Sequence, residues 1–119
     1  MGVTVVKGNF TDKDEAIKEV LSQSLFPREG AMGAGDLEDV HWHKTGLKIF
    51  VLEGTFETLD AASGTTLIAE HGDVITIPPV TLHAAQCPVP ATYVVGFESQ
   101  EAASAFCPER LEDFPQEHA

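Results

Sequence analysis

Between residues 37 and 97 the chain divides into seven short stretches rich in β-branched, aromatic and aliphatic residues, at 37–43, 47–53, 55–59, 65–70, 74–77, 81–86 and 92–97. Lys44-Thr45-Gly46, residues 60–64, His71-Gly72-Asp73, Pro78-Pro79 and residues 88–90 separate most of them. Such residues end a strand by allowing a positive φ or by removing a backbone donor. No helical period intervenes, which rules out a parallel sheet built from βαβ units and predicts an all-β sandwich or barrel. At 119 residues there is material for one core, so a single domain over 1–119 is expected, with its barrel core at about 35–98.

The flanks read differently. Residues 3–7 form a short β-branched strand. Thr11 is placed to cap a helix in which Ala16, Ile17, Val20 and Leu21 recur at helical spacing up to Leu25, with a stop near Pro27. Residues 28–35 hold three glycines and no period, and read as a loop or an irregular edge segment that could border a pocket. Ser99 can cap a short helix running to Phe106, and the acidic stretch 107–119 is expected to lie on the surface or fray.

Chemistry concentrates in the histidines. In His41-Trp42-His43 the first and third side chains of a strand share one face, so both imidazoles can approach one point while Trp42 points away. His83, opening a short strand after Pro78-Pro79, offers a third nitrogen from across a barrel. Imidazole suits several divalent ions and does not choose among them. The plain alternative is a group of buried histidines satisfied by water. His71, in a turn, and His118, near the C-terminus, read as solvated.

The net charge of −12 repels phosphate backbones and anionic headgroups, so neither nucleic acid nor a membrane is an expected partner. No apolar run approaches the length of a membrane span, the first residues lack the order of a signal peptide, and Cys87 and Cys107 form neither a C-x-x-C nor a disulfide framework. A cytoplasmic chain with two free thiols is expected.

Two segments carry a family resemblance. Gly35, five residues, His41-Trp42-His43 and then Gly54 resemble the first cupin motif, and Gly72, five residues, Pro78 and then His83 resemble the second. Together they cover residues 35–97, about half of the chain. The resemblance implies a double-stranded β-helix, or jelly-roll barrel, with one divalent metal ion inside it, held by His41, His43 and His83. The departures bear on function. Leu47 stands where the family usually has a glutamate ligand, Val80 where it has the glycine of Pro-x-Gly, and Cys87 where it has an asparagine. Such a site resembles the three-histidine cupins, among which non-haem iron dioxygenases are known. Fe(II) is therefore the favoured ion, with Zn, Ni or Mn as alternatives.

Alternation along 47–53 sends Leu47, Ile49 and Val51 into the interior, as core or as a dry pocket wall beside the ion. Three neutral ligands favour a small polar or anionic molecule as substrate or ligand. Metal-dependent lyase or isomerase chemistry and a non-catalytic binding or sensing role are the competing readings. Arg28 could meet a substrate carboxylate or form a surface salt bridge, and Glu98 could turn inward or stay solvated. Trp42, Phe50 and Leu52 face outward and need a cover, either the N-terminal helix or a second chain, and the resemblance favours a homodimer.

Overall fold

A computed structural model describes residues 2–115; His118 lies outside the described residues. The elements are β1 (Thr4–Val6), α1 (Lys13–Ser22), β2 (Phe26–Met32), β3 (Leu37–His41), β4 (Leu47–Glu53), β5 (Phe56–Asp60), β6 (Thr65–Ala69), β7 (Val74–Ile77), β8 (His83–Gln86), β9 (Ala91–Phe97) and α2 (Gln100–Ser104), followed by a 3-10 turn at Leu111–Asp113. They form two antiparallel sheets, one ordered β1-β7-β4-β9-β2 and the other β3-β8-β5-β6. This is the all-β double-stranded β-helix the sequence leads one to expect. No helix among the described residues is long and apolar enough to cross a membrane.

Strand alternation divides the apolar residues between two cores. Inward residues Leu47, Ile49, Val51, Phe56, Ile75, Ile77, Ala85 and Phe97 fill the barrel. Outward Phe50, Val74 and Val94 of the five-stranded sheet are covered by Ala16 and Val20 of α1 and by Phe10, whose ring centroid lies 5.7 Å from that of Phe50. Full burial of side chains like Phe50 and Val20 contributes about 1.5–3 kcal/mol each, which is what holds α1 in place. The helix begins one residue later than expected: Asp12, not Thr11, accepts from Glu15 N–H, while Thr11 donates to the Glu15 carboxylate. It ends at Ser22, short of Leu25, because Ser24 turns the chain with φ +61°.

The structure decides between the two readings of residues 28–35. The edge alternative holds for residues 26–32, an edge strand paired with β9 along its whole length, Phe26 opposite Phe97 to Met32 opposite Ala91, while residues 33–35 turn towards β3. The edge position tolerates Pro27. Gly30 is required there: a Cβ would come within 2.5 Å of the Tyr93 ring opposite it. Arg28 donates to the Ala103 carbonyl of α2 at 2.8 Å and lies 4.9 Å from the centroid of the Phe97 ring, so it ties α2 to the barrel.

Candidate metal centre

His41 closes β3 and His83 opens β8, and the two are direct cross-strand partners, so their side chains leave the sheet on the same side. His43 lies two residues beyond the end of β3, where the expected strand 37–43 has already stopped. Ring centroids are separated by 4.3 Å for His41 and His83, 4.8 Å for His41 and His43, and 5.2 Å for His43 and His83. All three are buried, and their ligand-capable atoms lie within 4.8 Å of one another. Small side-chain rotations close that spread to the about 3.3 Å between nitrogens sharing a tetrahedral ion.

Each Nδ1 faces a backbone carbonyl: His41 that of Asp39 at 2.6 Å, His43 that of Cys107 at 3.3 Å, and His83 that of Thr81 at 2.8 Å. A carbonyl only accepts, so Nδ1 donates and each Nε2 keeps its lone pair for a ligand. Such outer partners orient metal-binding imidazoles. Burial, reinforced by the neighbouring His83 and His41, lowers His43 to about 4. Burial likewise lowers His83 to about 4, against the opposing effects of the Thr81 carbonyl and the Asp60 carboxylate. At neutral pH both are neutral, the state that can ligate. The donor set fits a borderline divalent transition ion.

His43 reaches the cluster because residues 106–114 hold it there. Phe106 stacks on its ring at 4.5 Å. The backbones of Trp42 and Glu109 exchange hydrogen bonds, the Trp42 indole N–H donates to the Arg110 carbonyl at 2.9 Å, and Phe114 packs edge-on against the indole. Up to residue 115 this segment is thus docked, and it is the cover of Trp42. Phe50 is covered by α1, and Leu52 packs partly buried at the same cluster. The exposure that pointed to a second chain at these residues is met within the chain.

Leu47 and Ile49 line a cavity of about 70 Å³ together with His43 and His83. Val51 belongs to the same inward cluster but is not among the lining residues. Glu98 accepts from the Gly46 N–H at 2.8 Å and so is spent on a turn. His71 is exposed, with Nδ1 against the Leu52 carbonyl. Cys87 and Cys107 are free thiols.

Three residues near the centre escape a reading of the sequence. Asp60, assigned there to a turn, is the last residue of β5, buried and opposite His83, accepting from Val3 and Ala62 N–H. Alternation from Phe56 through Thr58 would have placed it inward. Among the described residues Thr58 Oγ1 is buried with no hydrogen-bond partner. Glu38 lines the cavity although its spacing from His41 is odd.

No family model matches the chain, and no curated protein matches it. Solved structures do. An RmlC-like cupin from Shewanella frigidimarina NCIMB 400 is 25% identical over 66% of this chain and 70% of that one, with a TM-score of 0.55. A DUF861 family protein from Thermotoga maritima is 19% identical over 80% and 98%, with a TM-score of 0.56. The DMSP lyase DddQ from Ruegeria pomeroyi DSS-3 is 20% identical over 76% of this chain but only 44% of its own, with a TM-score of 0.60.

Proposed function

Because the chain is a cupin by fold, we propose that it holds one divalent metal ion at His41, His43 and His83 and binds a small anionic molecule there, with Fe(II) and a dioxygenase reaction as the first reading. The observation that carries this is the convergence of three buried imidazoles, each with Nδ1 committed to a carbonyl and Nε2 free. A bound ion supplies Lewis acidity and, as Fe(II), redox chemistry. The chain supplies the rest. Leu47, at the position of the usual carboxylate ligand, adds no negative charge, and with Ile49, Ile77 and Val95 it keeps the cavity wall apolar and dry. A divalent ion held by neutral ligands alone retains its full charge and attracts an oxyanion.

Elemental analysis of tag-free protein tests the premise: one equivalent of a transition metal is expected, and its loss in His83→Ala. An oxygen electrode with Fe(II)-loaded protein and a panel of small chelating acids tests the reaction. The second reading is metal-dependent lyase chemistry, favoured by the structural likeness to a DMSP lyase. Product formation without oxygen uptake would select it, and ligand binding with no turnover would mark a non-catalytic module. We further propose a homodimer through the outer face of the four-stranded sheet, where Leu37 and Ile68 are exposed. Light scattering at micromolar concentration checks it.

A further inference from the structure

The cavity beside the histidines has a second polar end, built by a β-bulge. His41 pairs with His83 and Glu38 with Ala85, so a step of three residues on β3 answers a step of two on β8. The extra residue reverses the alternation, and Glu38 shares the inward side of buried Ala85 instead of facing out. Its backbone stands one strand repeat, about 7 Å, from the histidine level, and its side chain, exposed, lines the cavity rim.

Tyr93 meets it there. The phenol ring lies over Gly30, stacks edge-on against Phe56 at 5.4 Å, and lines the same cavity. Burial, then the Glu38 charge, pushes its hydroxyl up to about 12, so it remains a neutral phenol. Among the described residues Tyr93 Oη has no hydrogen-bond partner. Between this end and the histidines the walls are Leu47, Ile49 and Phe56.

Resting on the metal reading above, we propose that Glu38 and Tyr93 form the second pole of the ligand site, and that the ligand is a small zwitterion whose carboxylate goes to the three-histidine centre and whose ammonium group goes to Glu38. A cationic centre at one end and a carboxylate at the other disfavour a simple dianion. The Tyr93 hydroxyl oxygen accepts a hydrogen bond from the ammonium group.

The test compares two near-isosteric probes, β-alanine and butyrate, titrated calorimetrically into Zn(II)-loaded protein, with Zn(II) uptake measured first in every variant. β-Alanine is expected to bind about five-fold tighter than butyrate, the size an ion pair at a solvated rim allows. The preference should shrink with added salt. Glu38→Gln should abolish it, and Tyr93→Phe should weaken β-alanine alone. Failure of the parent protein to take up Zn(II) overturns the metal reading and this inference with it. Normal uptake with equal affinities overturns this inference alone. A preference that persists in Glu38→Gln would also overturn it, since the amine would then be reaching the ion.

Discussion

His83 and His43 contribute to one cluster but are positioned in opposite ways. His83 stands in the four-stranded sheet between β3 and β5, and its Nδ1 is satisfied by a carbonyl two residues away. His43 stands past the end of its strand, with its Nδ1 on a carbonyl 64 residues away and its ring against Phe106. One half of the centre therefore forms whenever the barrel forms. The other half depends on the docking of residues 106–114, which lie outside both sheets, are held by part-buried contacts to Trp42 and His43, and belong to the lower end of local stability. Metal affinity should thus be separable from barrel stability on the His43 side and inseparable from it on the His83 side.

The strongest challenge to this contrast is His83→Ala, which removes a ligand rooted in the sheet. Metal uptake should be lost outright, beyond the about 10–100-fold cost of deleting an outer partner. His43→Ala should match it in metal loss while leaving the melting temperature higher. Equal melting temperatures would break the comparison.

Acid probes both arms together. His43 and His83 titrate near 4 when folded and near 6.5 when unfolded, so the unfolded chain takes up protons first as the pH falls. Their contribution is complete above pH 6.5 and is lost progressively down to about 4, by up to about 3 kcal/mol per ring. Chemical denaturation of the apo-protein across that range measures it. Bound metal should move the loss to lower pH, because protons and the ion compete for the same nitrogens.

Phe106→Ala isolates the docked segment. Half-buried between His43, Phe97 and Arg28, it should cost about 2 kcal/mol, less than a fully buried phenylalanine, and lower metal affinity about ten-fold. Isothermal titration with Zn(II) alongside a melt distinguishes the two effects. Unchanged affinity would mean that His43 is placed without the segment.

Leu47→Glu sharpens the contrast from the cavity side. The carboxylate should tighten metal binding and weaken binding of an anionic ligand, while destabilising the apo-protein by placing a carboxyl among Ile49, Ile77 and Phe97. Melting temperatures with and without the ion check it, and no gain in metal-dependent stabilisation would show that residue 47 does not reach the centre.

The smallest effect lies where the two arms touch. Val80, whose N–H donates to the His43 carbonyl at 2.8 Å, has φ +54°, a conformation suited to glycine and strained for a β-branched residue. Val80→Gly should stabilise the protein by about 1 kcal/mol and leave His83 in place.

What the sequence made legible was what alternates. The inward set Leu47, Ile49 and Val51 and the convergence of His41, His43 and His83 follow from period two and two turn-bounded motifs, although His83 stands on the strand beside His41 and not across the barrel. The strand at 26–32 stayed undecided between loop and edge segment because its glycines carry no period; β9 imposes the register. Glu38 was hidden because one inserted residue reverses a parity that can be counted only once the partner strand is known. The cover over Trp42 was hidden for a third reason, since residues 106–114 have no pattern of their own and acquire structure from what they touch.

The Trp42–Glu109 bridge also sets an order in time. During synthesis every strand of the barrel leaves the ribosome before residues 106–114 do. A nascent barrel can bring His41 and His83 together while His43 still lacks its stacking partner and its acceptor carbonyl. Completion of the centre therefore follows emergence of the last barrel strand, which limits how early an ion present near the ribosome can be captured by all three histidines.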